Sequence, residues 1–218
     1  MVLDLINQRA SIRNFSDRVI SEEDMTTILE SARLAPSWMN AQPWHFISIK
    51  DNLTKELVSK LANGQKQIKD ASHIVFVLGD LSAWDESRFK KILEKKDGIT
   101  EDVIQKIFSN PGLYPKLQGE EKLILRTIEQ TTYAMAYMIL QAQALGIDSC
   151  IIGAFGNELT GFNQDLYNQL REKLHIPDRH LMLGLLALGY RQDGIKTPKK
   201  IRKDFDEVVS KEIYDIKN

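Results

Sequence analysis

The segment at residues 8–15 carries two arginines, Arg9 and Arg13, four positions apart with Ser11 between them. At that spacing the two guanidinium groups would lie on one face of a helix. Guanidinium forks match the oxygens of a phosphate, and a serine hydroxyl or a backbone amide can fill the gap between them. The segment is therefore a candidate phosphate site. The alternative is an ordinary exposed helix surface, and an isolated pattern of this kind leaves both interpretations open.

A second polar segment lies at residues 32–46, where Pro36 and Pro43 enclose Asn40 and Gln42. Each proline fixes its own φ angle and so stiffens the loop. The two amide side chains can both donate and accept hydrogen bonds. Such groups suit the edge of a heterocycle with alternating donors and acceptors, such as an isoalloxazine. A structural turn leading into a strand is the simpler interpretation, but it does not require both amides.

The elements that would position these segments follow from local patterns. Apolar residues at positions 2, 3, 5 and 6, followed by Arg9 and Arg13, predict a short amphipathic helix. Ser21 to Asp24 is typical of a capping box, which predicts a helix that ends before Pro36. Further helices are predicted at residues 55–62 and 166–174, and strands at residues 45–50, 74–78, 147–153 and 181–188. Strands and helices do not alternate strictly, so the predicted fold class is α+β with helices flanking a sheet.

Two longer segments stand apart from this pattern. Residues 81–122 are densely charged, with single apolar residues and proline turns, and predict a helical excursion away from the core. Residues 131–145 are apolar nearly all round, which predicts a helix buried on every side and ended by Gly146. The tail at residues 205–214 offers Phe205, Val208, Val209 and Ile213 for packing.

The composition of the 218 residues fits a single domain: 43% are hydrophobic, 27% are charged and the formal net charge is −1. The balanced charge and the three tryptophans argue against nucleic acid or a membrane surface as a partner. The single cysteine, Cys150, excludes an internal disulfide and is interpreted as a buried, inert thiol. The longest apolar stretch is half the length of a membrane span, and the N-terminus has no secretory apolar region, so we expect a soluble, cytoplasmic protein.

Several common sites are excluded by their motifs. The sequence contains no GxGxxG, Walker A or GxSxG motif and no cysteine and histidine spacing typical of a metal site. The four histidines are scattered and are expected in the core or on the surface. No group of carboxylates and histidines for acid–base chemistry is visible either, so any redox chemistry would have to come from a cofactor.

Taken together, the two polar segments resemble the N-terminal signature of the FMN-dependent nitroreductase family, an RxSxR followed by PSxxNxQPW. The second motif is present as PSWMNAQPW at residues 36–44. The resemblance continues with QKQIKDAS at residues 65–72, GIDSCIIGAF at residues 146–155, and residues 185–190 followed by Lys200-Ile201-Arg202. It covers nearly the whole chain, and the combination is far more specific than any single motif.

The resemblance assigns three groups of residues to FMN. Its phosphate would be bound by Arg9, Ser11, Arg13, Arg202 and, as a weaker candidate, Lys200. The ribityl chain and ring would be lined, partly from the opposite subunit, by Pro36, Ser37, Met39, Asn40 and Gln42. Gln67 would lie near the pyrimidine, and the backbone of Ile152, Gly153 and Ala154 would run past the ring, where a glycine permits close approach. The sequence departs from the family pattern at Gly64, where members often have asparagine, and at Ala154, which replaces a second glycine.

The resemblance further implies an intertwined homodimer with a mixed central β-sheet and two FMN sites at its interface. It implies a ping-pong oxidoreductase in which NAD(P)H reduces FMN, and FMN then passes hydride to a nitroaromatic, a quinone or a similar small acceptor. Residues 81–122 would cover the substrate side. The alternatives are a flavin reductase, a dehalogenase or desaturase of the same fold, and a non-catalytic FMN-binding sensor.

Overall fold

The computed structural model describes residues 1–214 and confirms the α+β class. Its sheet contains β1 (Trp44–Ile49), β2 (His73–Asp80), β3 (Asp148–Ile152) and β4 (His180–Gly189) in the order β1-β2-β4-β3. All three pairings between these strands are antiparallel. An isolated parallel bridge joins Ser11 to Ser149 of β3. Every residue of β2 is buried, as expected for a central strand covered on both faces. β1 and β3 are therefore the outer strands of this sheet.

Helices cover both faces of the sheet. On one face, α2 (Glu22–Arg33) and α7 (Glu120–Ala144) pack on Val75, Val77 and Leu186. On the other face, α3 (Asn52–Leu61) and α8 (Gln164–Lys173) enclose a core that includes Phe76 and Phe155. The remaining helices are α1 (Val2–Gln8), α4 (Lys66–Asp70), α5 (Glu86–Leu93), α6 (Glu101–Phe108) and α9 (Phe205–Val208).

Local signals placed several of these elements correctly. The Ser21 Oγ accepts a hydrogen bond from the Asp24 amide at 3.0 Å, as the capping pattern predicts for the start of α2. Gly146 has a φ of 70° after α7, and the amide of Ile147 donates to the Ala142 carbonyl at 2.9 Å. This is the left-handed helix ending for which glycine is favoured.

Two predictions about helices were wrong. The N-terminal helix ends at Gln8, and residues 9–13 are extended, because the Ile12 amide donates to the carbonyl of Ser149 at 3.1 Å. The helix predicted at residues 131–145 is the second half of the 25-residue α7, and it is not buried on every side. Tyr133 and Tyr137 are 40% and 45% exposed, so α7 presents an apolar face that the described part of the chain does not cover.

The excursion at residues 81–122 is helical, as predicted, and has an apolar core of its own. Trp84, Phe89 and Tyr114 pack together there against the first half of α7. The Trp84 indole donates to Thr127 Oγ1 at 2.9 Å, and the Tyr114 hydroxyl donates to the Trp84 carbonyl at 2.8 Å. The excursion is thus fixed to α7 rather than loosely attached.

Candidate active site

The extended segment at residues 9–13 directs its polar side chains to one side. Ala10 and Ile12 are buried, so the alternating residues Arg9, Ser11 and Arg13 lie on the opposite side of the segment. The helix predicted for these residues was wrong. They nevertheless share one side of the segment, because side chains alternate with a period of two residues in an extended chain. The parallel bridge to Ser149 fixes this segment beside β3.

The same three side chains meet the C-terminal basic segment. A cleft of about 190 Å³ is lined by Arg9, Ala10, Ser11, Arg13 and residues 198–202. Within residues 1–214, the side chains of Arg9, Arg13 and Arg202 have no carboxylate within 4.0 Å. Three unpaired guanidinium groups around one small cleft attract an anion.

Lys200 is held differently from the arginines. Its ammonium group donates to the carbonyl oxygens of Ile6 at 2.7 Å and Asn7 at 2.5 Å, at the C-terminal end of α1. A cation at this position satisfies free carbonyl groups and interacts favourably with the helix dipole. Partial burial lowers the pKa of Lys200, and the charges of Arg9 and Arg202 lower it further. Lys200 therefore lies in the basic cleft, but its hydrogen bonds in this chain go to α1.

Cys150 follows Ser149, which forms the bridge to Ser11, and its thiol is unreactive. The thiol is buried, and burial raises its pKa more than the charges of Arg13 and Arg9 lower it. A thiol with a raised pKa is a poor nucleophile at neutral pH. These features support the interpretation of Cys150 as an inert core residue.

Residues 152–154, at the end of β3, lie beside Gln65 and Gln67 at the start of α4. We call these five residues the strip. Gln65 donates from Nε2 to the Ala154 carbonyl at 3.0 Å, and Gln67 donates to Gln65 Oε1 at 2.6 Å. A Cβ added at Gly153 would meet no atom within 4 Å, and Gly153 has no positive φ. Nothing in residues 1–214 therefore requires a glycine at position 153, whereas a flat group lying against the backbone would. The Ile152 side chain is buried in the core, so only its backbone can belong to this strip.

The loop at residues 36–42 has an unusual backbone. Met39, Asn40 and Gln42 have φ angles of 48°, 63° and 50°. Non-glycine residues in this region each cost about 1–3 kcal/mol and cluster at functional sites. The loop is held by the Ser37 hydroxyl, which accepts from the Gln42 amide at 3.0 Å, and by the buried Gln130, which accepts from the Trp38 amide at 2.6 Å.

One chain does not bring all the predicted residues together. The loop at residues 36–42 precedes β1, whereas the strip and the basic cleft lie beside β3, and β1 and β3 are the opposite outer strands. Three strand spacings separate them, about 14 Å. The predicted site is therefore divided into two halves within one chain. The phosphate half contains the basic cleft and the strip, and the loop half contains residues 36–42.

A cluster of titratable groups lies at the loop half, where sequence reasoning did not expect one. Asp80, at the end of β2, forms a 2.9 Å ion pair with Arg88, and its carboxylate lies 3.6 Å from Nε2 of His180. The Asp80 amide donates to the Pro43 carbonyl at 3.1 Å, so the cluster is tied to the loop. Asp80 and His180 are 100 positions apart and are brought together by the pairing of β2 with β4, whereas Arg88 reaches Asp80 from α5 in the excursion.

Local charges set the protonation of this cluster. Burial alone would raise the pKa of Asp80, but hydrogen bonds from Ser82 and the charges of His180 and Arg88 hold it below its usual range. Burial lowers the pKa of His180 despite the neighbouring Asp80, and its buried Nδ1 atom has no hydrogen-bond partner among the described residues. Within the described part of the chain, no group of three or more histidine, cysteine or acidic side chains could hold a metal ion.

A cavity larger than the basic cleft lies outside both halves. It measures about 600 Å³ and is lined by residues near Arg18, Lys50, Lys55 and Lys69, with acidic residues among them. Lys50 pairs with Glu22 at 2.5 Å and Lys69 with Glu56 at 3.6 Å, so their charges are already compensated. None of the candidate site residues lines this cavity, so its size does not make it the active site.

The chain is similar to known proteins along most of its length. A model of the nitroreductase family matches residues 6–190. A Haemophilus influenzae protein named "Putative NAD(P)H nitroreductase" is 34% identical over 95% of this chain and 94% of its own length. Among residues 1–214, no helix is both long and apolar enough to cross a bilayer.

Solved structures show the same fold. The structure of a putative nitroreductase, ydfN, from Bacillus subtilis superimposes with a TM-score of 0.81 at 23% identity, over 95% of this chain and 97% of the other. A putative nitroreductase in complex with FMN from Exiguobacterium sibiricum has a TM-score of 0.74 and 26% identity, over 96% of both chains.

Proposed function

We propose that this chain, which belongs to the nitroreductase family, binds FMN in the divided site and uses NAD(P)H to reduce small oxidised molecules such as nitroaromatics or quinones. The observation that carries the proposal is the basic cleft, in which three guanidinium groups without carboxylate partners surround Ser11. Relatives named as NAD(P)H nitroreductases and a related structure in complex with FMN support the same cofactor and reductant.

The phosphate half fits the anionic end of FMN. Arg9, Arg13 and Arg202 would bind the phosphate oxygens, because guanidinium groups present paired donors in a plane. Ser11 would add a hydroxyl donor between them. Lys200 would act mainly by holding α1 against the cleft, since its ammonium group already donates to two carbonyl oxygens of that helix.

The strip and the loop fit a flat, polar ring. Gly153 leaves its backbone open to close approach, and Gln67 is held by Gln65 beside the end of β3. Pro36, Ser37, Met39, Asn40 and Gln42 would line the other side of the ring. Because the loop and the strip are at opposite edges of one sheet, the loop would come from a second copy of the chain.

This arrangement makes the proposed homodimer a requirement of the site. The uncovered faces of α7 and of the tail supply apolar surface for such an interface: Tyr133 and Tyr137 are partly exposed, and Phe205 and Ile213 are more than two-thirds exposed. Apolar patches of this kind mark protein interfaces. Each of two loops would then complete the neighbour's site, as the symmetry of a dimer requires.

Bound FMN would supply the redox chemistry, taking a hydride from the nicotinamide and passing it to the acceptor. The chain's own residues would bind and orient FMN and enclose the ring. The strained loop gives Asn40 and Gln42 fixed positions, and the core of the excursion holds Trp38 through the 3.2 Å bond from its indole to the Leu113 carbonyl. With one open face over the ring, the nicotinamide product would leave before the acceptor binds, which is ping-pong kinetics.

The experiment that tests this function begins with the purified chain and FMN. We expect stoichiometric FMN binding with a clear preference over riboflavin, a dimer by analytical ultracentrifugation, and rapid, saturable reduction of the flavin by NAD(P)H in stopped flow. Slow reduction without saturation would identify a non-catalytic FMN-binding protein. Equal affinity for riboflavin would show that the basic cleft does not bind the phosphate.

A further inference from the structure

A second basic cavity lies beside the loop half of the site. It measures about 410 Å³ and is lined by Ala41, Gln42, Ala83, Arg88, Lys91, Ile92 and Lys95. Three of these seven residues are cations and none is acidic. Arg88 and Lys91 are on α5 and Lys95 is in the turn that follows it, so the excursion supplies all three charges.

The three cations differ in how they are held. Arg88 is anchored by its 2.9 Å ion pair with the buried Asp80 and by a hydrogen bond to Ser82. Lys91 and Lys95 are exposed, and neither has a carboxylate within 4.0 Å among residues 1–214. Two uncompensated ammonium groups in one cavity favour an anionic group there.

The position of these three cations, which form a row along the cavity, is defined relative to the loop at residues 36–42. Asp80, which anchors Arg88, donates its amide to the Pro43 carbonyl, so the Arg88 end of the row is tied to the loop. Lys91 lies one helical turn further along α5, about 5 Å away. The cavity therefore extends from Gln42, beside the proposed ring site, outward to two free lysines.

We infer that Lys91 and Lys95 bind the phosphomonoester on the adenosine ribose of NADPH, so that this enzyme prefers NADPH to NADH. The inference rests on the proposed function. NADPH and NADH differ only by that phosphate, which is distant from the nicotinamide ring and close to a dianion at neutral pH. A dinucleotide with its nicotinamide near Gln42 would direct its adenosine outward, toward Lys91 and Lys95. There the two ammonium groups would bind the extra phosphate of NADPH, which NADH lacks.

The decisive variants reverse one charge at a time. Lys91→Glu and Lys95→Glu alter the cavity, whereas Lys106→Glu is a matched control, because Lys106 is an exposed lysine on α6 that does not line the cavity. Each FMN-loaded protein is mixed with NADPH and, separately, with NADH, and flavin reduction is followed in stopped flow. Binding of adenosine 2′,5′-bisphosphate and of 5′-AMP to the oxidised protein is measured by calorimetry as a readout independent of turnover.

We expect the original chain to bind adenosine 2′,5′-bisphosphate more tightly than 5′-AMP and to be reduced faster by NADPH at limiting concentrations. Lys91→Glu and Lys95→Glu should each lower the ratio of kcat/KM for NADPH over NADH by about five- to tenfold. They should weaken bisphosphate binding in parallel, and Lys106→Glu should leave the ratio unchanged. High salt should reduce the preference, because exposed charges are screened.

Three results would overturn the inference while leaving the proposed function intact: equal use of both nucleotides, equal loss for both in the Lys91 and Lys95 variants, or a loss confined to flavin reoxidation by an anionic nitrobenzoate. The last would assign the lysines to the acceptor. If neither nucleotide reduced the bound flavin, the proposed function itself would fail.

Discussion

Arg191 forms a bidentate ion pair with Asp148, with Nε 2.9 Å from Oδ2 and Nη2 2.5 Å from Oδ1. The pair joins the first residue of β3 to the segment that leaves β4 toward the basic cleft. Gln192 then donates to the Asn14 carbonyl at 3.1 Å, which ties the same segment to the chain that carries Arg9 and Arg13. The two cationic segments of the cleft, almost 190 residues apart, are therefore held in place by contacts outside the cleft.

Asp148→Asn tests this positioning role. The substitution leaves the Arg191 guanidinium, which is largely buried, without its counter-charge. We expect the free energy of unfolding to fall by about 1–3 kcal/mol, and FMN affinity to fall although Asp148 does not line the cleft. Urea denaturation and FMN titration provide the two measurements. Glu30→Gln, at the exposed Glu30–Arg33 pair, is the control and should change neither. A stable Asp148→Asn protein with full FMN affinity would contradict this role.

The strained loop offers a test that separates backbone from side chain. Asn40 has a φ of 63°, which glycine adopts freely and alanine does not. Asn40→Gly should preserve stability and lose only the amide, whereas Asn40→Ala should lose the amide and also destabilise by about 1 kcal/mol. If Asn40 contacts the flavin, both variants should weaken FMN binding to a similar degree. Tight binding by both would exclude the amide from the site.

Much of the fold follows from local sequence. The capping residues of α2, the glycine after α7 and the apolar runs of β2 and β4 each have a short-range physical cause, and each was placed within a few residues. The extended conformation of residues 9–13 has a long-range cause instead, the hydrogen bond from Ile12 to Ser149. A helical pattern cannot reveal a partner 137 positions away, so the sequence predicted a helix there.

The candidate site was predictable to the extent that its residues form motifs. Arg9, Arg13 and Arg202 were selected by resemblance, and the structure places them around one cleft. The cluster at Asp80 has no motif, because the excursion brings Arg88 to Asp80 and the pairing of β2 with β4 brings His180 there. The bonds from Lys200 to α1 were likewise invisible in the sequence, since they depend on where the C-terminal segment crosses the N-terminus.

The buried histidines predict a loss of stability in mild acid. Burial lowers the pKa of both His73 and His180 in the folded state. As the pH falls below about 6.5, the unfolded chain therefore binds protons that the native chain does not, so stability rises with pH and falls on acidification. The slope should be at most about 1.4 kcal/mol per pH unit for each histidine.

His180→Gln checks the contribution of the cluster at Asp80. The His180 side chain faces Asp80, His45, Arg88 and Arg171, which all influence its charge. Removing the titrating ring should flatten the dependence of the urea midpoint on pH between 6.5 and 5, whatever its effect on stability at pH 7.5. His175→Gln is the comparison, because His175 is exposed in a turn after α8. An unchanged slope in His180→Gln would show that other groups cause the acid sensitivity.

Arg202→Ala separates cofactor binding from chemistry. Arg202 is exposed, and among the described residues its side chain donates a hydrogen bond only to the carbonyl of its neighbour Ile201, at 2.7 Å, so the substitution should barely affect folding. If the guanidinium binds the FMN phosphate, the dissociation constant should rise about tenfold to a hundredfold, the range for a hydrogen bond to a charged group. Turnover at saturating FMN should fall far less, because the phosphate is distant from the reacting ring.

Lys200→Ala provides the comparison for that experiment. An ammonium group lacks the bidentate fork, and that of Lys200 already donates to Ile6 and Asn7. Its removal should therefore weaken FMN binding less than Arg202→Ala does, and should instead loosen α1, which hydrogen exchange at residues 2–8 would detect. FMN titration of the two variants, followed by turnover at saturation, decides between the alternatives. Unchanged affinity in Arg202→Ala would remove the C-terminal segment from the site, and turnover lost at saturating FMN would mean that Arg202 acts on something other than the phosphate.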